Sequence, residues 1–172
     1  MMLLAFDSYY YADKAKTVCF IFDEWTSVEP KDVIIEITNS EAGYQSGEFY
    51  KRELPCILNA LKRVDLNDID AIIIDGFVVL DDFGKLGLGG HLYEERNRSI
   101  PVIGIAKNDY KSLIDNKRAE LRGKSTKPLY ITALGINIDE AAAYVKMMSG
   151  EYRIPTLLKQ LDILTKQDLT IK

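Results

Sequence analysis

Two unbroken apolar runs constrain the fold of this chain more than any other feature. Ala71-Ile72-Ile73-Ile74 ends in Asp75-Gly76, and Pro101-Val102-Ile103-Gly104-Ile105-Ala106 ends at Lys107. A strand that is apolar on both sides must be covered on both faces, as in the parallel part of an α/β sheet. The stretch between the runs predicts a helix around Gly89 to Asn97, so a right-handed βαβ crossover is expected to join them. Upstream, Leu3 to Phe6, Thr17 to Phe22 and Val33 to Ile37 read as short strands, with Ala12 to Lys16 as a hairpin loop. Their close spacing predicts an antiparallel meander.

The rest of the chain fills in helices. Residues 38 to 48 read as a loop. Tyr50, Leu54, Ile57, Leu58, Leu61 and Val64 then share one face of a helix predicted over Phe49 to Val64. Pro55 is tolerable near its start, where N–H groups lack helical partners anyway. Further helices are expected over Tyr110 to Leu121, over Glu140 to Ser149 with Asp139 as its cap, and after Pro155 with Leu158, Leu161 and Leu164 inward. Between them lie the loop Arg122 to Lys127 and a last strand, Leu129 to Thr132. The order predicts an α/β fold: a ribonuclease H-like mixed sheet, a three-strand antiparallel meander plus parallel strands, flanked by helices. At 172 residues and 47% hydrophobic, residues 1–172 suit a single domain with its own core.

Composition narrows the chemistry. A net charge of −4 excludes a basic nucleic-acid-binding tail. It leaves nucleic acid open as a substrate, because a bound metal changes the local charge. Two cysteines make neither a disulfide scaffold nor a zinc knuckle, and His91 is the only histidine. The first apolar residues are too few for a signal peptide or a membrane span, so a cytoplasmic protein without membrane contact is expected. The glycines Gly84, Gly87, Gly89 and Gly90 do not match a phosphate-loop spacing, so no nucleotide cofactor is expected.

Carboxylates are plentiful, and three stand where apolar chain would continue. Asp7 closes the first strand, Asp75 closes the run after the first helix, and Glu53 lies four residues before Ile57 on that helix's apolar side. If the two strands are neighbours, the acids converge. Clustered carboxylates repel unless cations neutralise them, and oxygen-only ligands suit Mg²⁺ or Mn²⁺. Such a site can hydrolyse a phosphodiester, with Lys107 offsetting charge on phosphate. Each Asp alone equally serves a turn, and Glu53 equally serves a helix dipole. His91 fits a hydrogen-bonded structural residue better than a catalyst. Lys51, Arg52, Arg122, Lys124 and Lys127 could contact nucleic acid or simply be solvated surface.

Five segments in order resemble the endonuclease V family. They are Phe6-Asp7-Ser8-Tyr9; Tyr44-Gln45-Ser46-Gly47 running into Arg52-Glu53-Leu54-Pro55; Asp75-Gly76 leading to Gly87-Leu88-Gly89-Gly90-His91; Pro101 to Lys107; and Ala143-Tyr144-Val145 with Tyr152-Arg153-Ile154-Pro155. The resemblance implies an inosine-directed nuclease with a ribonuclease H-like fold. Asp7, Glu53 and Asp75 fall on the family's metal-binding carboxylates and Lys107 on its catalytic-site lysine. Tyr44 falls on the wedge that fills the gap of an extruded base, and Gly47, Phe49, Gly76, Gly87 and Leu88 on the pocket for that base. His91 falls in the segment beside that pocket. The chain is expected to be a short, divergent relative: Ser46 replaces the wedge proline, and Leu134 stands where the family carries a second catalytic-site histidine. The expectation is a Mg²⁺- or Mn²⁺-dependent nuclease acting on DNA or RNA. The alternative is a weakened or inactive nucleic-acid-binding relative.

Overall fold

The computed structural model describes residues 1–39 and 50–167. Its sheet runs β3-β2-β1-β4-β5-β7-β6. The strands are β1 (Leu3–Tyr10), β2 (Lys14–Phe22), β3 (Asp32–Asn39), β4 (Ala71–Asp75), β5 (Val102–Ala106), β6 (Arg118–Glu120) and β7 (Leu129–Leu134). The helices are α1 (Tyr50–Leu61), α2 (Leu88–Glu95), α3 (Ile138–Met147) and α4 (Thr156–Lys166). β1, β2 and β3 form the antiparallel meander, and β1, β4 and β5 pair in parallel. β7 then runs antiparallel to β5 and carries β6 on its outer edge. This is the ribonuclease H-like mixed sheet that the apolar runs predict.

Period-two alternation splits the strands' side chains between two cores. Leu4, Phe6, Ile72, Ile74 and Val102 pack on one face with α1 and α2 residues such as Ile57 and Leu92. Leu3, Ala5, Ile73, Ile103 and Ile105 pack on the other with Ala141, Val145, Leu157 and Leu161 of α3 and α4. Because both faces are covered, β4 and β5 can be apolar throughout.

Four local expectations are corrected. β1 does not end at Asp7: it continues to Tyr10 against β2, and what stops at Phe6 is its parallel pairing with β4. The hairpin loop is correspondingly tighter, closed by Tyr11 N–H donating to the Lys14 carbonyl at 2.8 Å. Residues 110–121 form turns and the edge strand β6, not a helix. Leu113 is the one side chain of that stretch in a core, and Asp82 accepts the N–H groups of Ile114, Asp115 and Asn116. A helix there would have had neither a buried stripe nor free amides. The cap of α3 is Asn137, whose side chain accepts the N–H of Asp139 and Glu140, while Asp139 pairs with Arg118.

Arg122 is the largest departure from expectation. It is 4% exposed, not a surface cation. Its guanidinium donates to the carbonyls of Tyr152 at 2.7 Å, Arg153 at 3.2 Å, Gly150 at 3.4 Å and Met148. These carbonyls follow α3, where helix-end acceptors have no helical donors. Arg122→Ala strands them, and the expected loss is about 3 kcal/mol of unfolding free energy in urea titration. Lys124→Ala, on the exposed loop beside it, should leave the midpoint in place.

Candidate active site

The β1–β4 register builds the site. Leu3 lies beside Ala71 and Phe6 beside Ile74, so one step further Asp7 falls beside Asp75. Asp75 in turn pairs with Ile105 of β5, and Lys107 follows just past that strand. Alternation sends Asp7, Asp75 and Lys107 to the face that Leu3, Ala5, Ile73 and Ile105 occupy. There they line a cavity of about 40 Å³ together with Leu158, Leu161 and Asp162 of α4. Glu53 of α1 reaches the same aspartates from the opposite face. It shares a recess of about 10 Å³ with Asp7, Ser8, Asp75 and Leu88. The aspartate pair is thus flanked by one acid from each helical layer.

Burial and mutual repulsion set the electrostatics. Burial, then the Asp75 charge, raise Asp7 to about 7 against the pull of the Ser8 N–H, which donates to Asp7 at 2.8 Å. Burial raises Asp75 as well; Lys107 and a hydrogen bond with Asp7 oppose the rise, while Asp162 adds to it. One proton shared between two close carboxyls accounts for that bond. Burial and the two aspartates raise Glu53 to about 8. Tyr10 faces Glu53 and eases its charge, although the buried hydroxyl falls short of ordinary hydrogen-bond geometry. The Arg52 guanidinium lies 3.6 Å over the Tyr10 ring, which makes Arg52 part of this wall.

Asp162 was missed in the sequence, although the signal that found Glu53 marks it too. It lies four residues after Leu158 and beside Leu161, an acid at the edge of an apolar stripe. Its carboxylate pairs with Lys166 one turn on, at 3.2 Å. Lys107 has a hold of its own: Arg153 donates to the Lys107 carbonyl and, at 2.8 Å and 3.1 Å, to that of Pro128.

The glycines divide by role. Gly76 follows Asp75 with φ +129°, a backbone shape that suits glycine. Gly87 starts α2, and a Cβ there would stand 2.5 Å from the Phe77 carbonyl oxygen. Its room is taken up by the chain itself. Leu88 is buried in the Glu53 recess. His91 stacks on Tyr50 with ring centroids 3.6 Å apart, and burial lowers its pKa. Tyr44, Gly47 and Phe49, with Ser46, lie outside the described residues.

The donors are all oxygens, which fits a hard dication such as Mg²⁺ or Mn²⁺. As they stand, no group of three or more His, Cys, Asp or Glu among the described residues is arranged to hold an ion. Mg²⁺ keeps several waters and is commonly held by one or two carboxylates, a number that Asp7 and Asp75 supply. Among the described residues no helix is long and apolar enough to cross a membrane.

The family model for endonuclease V matches residues 2–126. No curated protein matches the sequence. Solved structures share the fold, among them these three. Human endonuclease V is 20% identical, with TM-score 0.74 over 96% of this chain and 82% of that one. The Streptomyces avermitilis endonuclease V is 21% identical, with TM-score 0.76 over 96% and 80%. The Ciona intestinalis endonuclease V, solved with a 24mer DNA containing an inosine followed by a ribo-adenosine, is 18% identical, with TM-score 0.77 over 96% and 84%.

Carboxyls raised in the folded state hold protons that the unfolded chain has released. Their stabilising effect is complete below the ordinary carboxyl range and is lost as pH rises through about 7 for Asp7 and about 8 for Glu53. In EDTA the melting temperature should fall between pH 5 and pH 8, and Asp7→Asn should flatten that slope. Differential scanning fluorimetry across pH reads both; an equal slope in the variant contradicts the shared-proton picture.

Proposed function

The chain belongs to the endonuclease V family, and from that premise we propose a metal-dependent endonuclease hydrolysing a phosphodiester near a deaminated purine, inosine, in DNA or RNA. The observation that carries this reading is the placement of half-buried Asp7 beside Asp75 at the exposed end of β4, two acids of neighbouring strands raised above the usual carboxylate range. Like charges this close call for a cation. A bound Mg²⁺ or Mn²⁺ supplies the charge that activates water and stabilises the leaving oxygen. Asp7 and Asp75 hold it, with Glu53 and Asp162 as oxygen donors from the two sides.

Lys107 has a separate task. Its side chain stands on the cavity wall and no ion pair among the described residues holds it. Its ammonium offsets negative charge as it develops on the phosphate oxygens. Arg153 keeps the Lys107 backbone in place for that contact. The products, by the family resemblance, carry a 3′-hydroxyl and a 5′-phosphate.

The base is read beside this centre. An enzyme that recognises a damaged base takes it out of the stack. By the family resemblance Gly47, Phe49, Gly76, Gly87 and Leu88 supply the pocket for it, Tyr44 is the wedge, and His91 belongs to the same substrate-binding set. Residues 1–172 act as one unit in this reading.

The test is nicking of inosine-containing strands with Mg²⁺ or Mn²⁺. Asp75→Asn should abolish product, and metal-independent cutting or an unaffected variant overturns the proposal. Asp162→Asn should weaken metal affinity or rate by about 10–100-fold, as for groups that support a metal site. Strand binding without product at any Mg²⁺ or Mn²⁺ concentration selects the non-cutting relative instead.

A further inference from the structure

Two loops leave the strand ends that carry the candidate site, and they are tied to each other. Residues 76–87 follow Asp75, and residues 107–117 follow β5. The first loop is closed by the bridge of Val79 with Leu86 and by Leu80 N–H donating to the Lys85 carbonyl at 2.8 Å. Inside it, Asp81 accepts the N–H of Phe83 at 2.9 Å and of Lys85 at 3.0 Å. Asp82 reaches across to the second loop and accepts the N–H of Ile114 at 3.1 Å, Asp115 at 2.8 Å and Asn116 at 3.0 Å. Leu113, fully buried, pins that loop to the core. The two loops therefore form one fixed rim.

The rim displays apolar surface that the fold does not use. Phe83 is 97% exposed at the tip, Ile114 is 71% exposed beside the latch, and Tyr110 is 39% exposed. Tyr110 lies 5.8 Å, centroid to centroid, from Phe77, the second residue after Asp75. Aromatic surface thus begins close to the carboxylates, and Phe83 adds a separate ring at the tip. A single exposed apolar side chain is ordinary, but a group of them on a fixed support marks a binding surface. Holding Phe83 in place beforehand also lowers the entropy lost on binding.

Charge indicates the occupant. Three of the rim's four acids are engaged internally, Asp81 and Asp82 by backbone N–H groups and Asp109 by Lys117 and the Tyr110 N–H, while the fourth, Asp115, is exposed. No ion pair among the described residues holds Lys85, Lys107 or Lys111. Free lysines interleaved with exposed aromatic rings are what a single nucleic-acid strand requires: cations along its phosphates and faces for its bases.

We propose that this rim is a stacking platform on which an unpaired base of the bound strand, flanking the cleavage position, lies against Phe83. The proposal rests on the nucleic-acid reading of the site and adds a second anchor outside it. The probe is a short inosine-containing DNA single strand in EDTA, so that binding is read without cutting. Phe83 makes no core contacts, so its substitutions should fold. In Phe83→Trp, titration with the strand should quench the new fluorescence. Trp25 supplies only a constant background, since it is buried and stacked on Tyr144 at 4.8 Å. Phe83→Ala should weaken binding about tenfold, within the range for loss of one base–aromatic stack, and Asp82→Ala, which unlatches the loops, should weaken it in the same direction.

Unquenched Phe83→Trp fluorescence while the strand binds, or equal affinity in Phe83→Ala, overturns the platform. So does concentration-dependent self-association that Phe83→Ala abolishes, because it makes the rim a contact between copies of the chain. Cutting assays keep the two readings apart. Nicking by Phe83→Ala with the parent's KM removes the platform and leaves the site. Quenching in a protein whose nicking survives Asp75→Asn removes the site and leaves the platform.

Discussion

The parallel pairing of β1 with β4 brings Asp7 level with Asp75, and most of the candidate site's character descends from that contact. Two acids at adjacent positions near the end of a covered sheet lose part of their water and face each other's charge. The surroundings temper this only partly, through Lys107 and the Ser8 amide. Hydrophobic packing on both faces maintains the arrangement, because the register that aligns Ile73 with Ala5 also aligns the acids. A slip of one residue would turn Asp7 toward the other core and Phe6 into the cavity. The stability of the sheet and the strain at its acidic end are thus inseparable.

Much of this was legible in the chain because it depends on simple periodicities. The runs Ala71 to Ile74 and Pro101 to Ala106 reveal covered strands, and an acid just after such a run is conspicuous. Glu53 was legible because it interrupts a helical stripe. Asp162 interrupts the stripe of α4 in the same way, but its role depends on which sheet face α4 covers, and that is a long-range fact. The same limit applies to Arg122. A charged residue in a Gly/Ser/Lys loop reads as solvated surface until the end of α3 is seen to surround it with carbonyls. Residues 110–121 failed for a related reason. Their composition permits a helix, but Asp82, far upstream, takes their amides.

Two arginines beyond the apolar runs set the second wall of the site. Arg122 gathers the backbone that follows α3, and Arg153, three residues before α4, grips the backbone of Lys107 and Pro128. The path from β5 to α4 is short in space although long in sequence. Lys107 and Asp162 consequently line the same cavity.

The site is divided unevenly along the chain. The family match ends at residue 126, whereas β7, α3, Arg153 and α4 all come later. The first 126 residues hold Asp7, Glu53 and Asp75 of the candidate site, and the last stretch holds Asp162 and the rest of its cavity wall. The two stretches are therefore under different constraints. In the first, the proposed metal site would fix the identity of a few side chains. In the second, many sequences could supply a covering helix, provided one acid and one guanidinium stay in position. Drift in the C-terminal third can reshape the cavity while leaving its acidic floor intact.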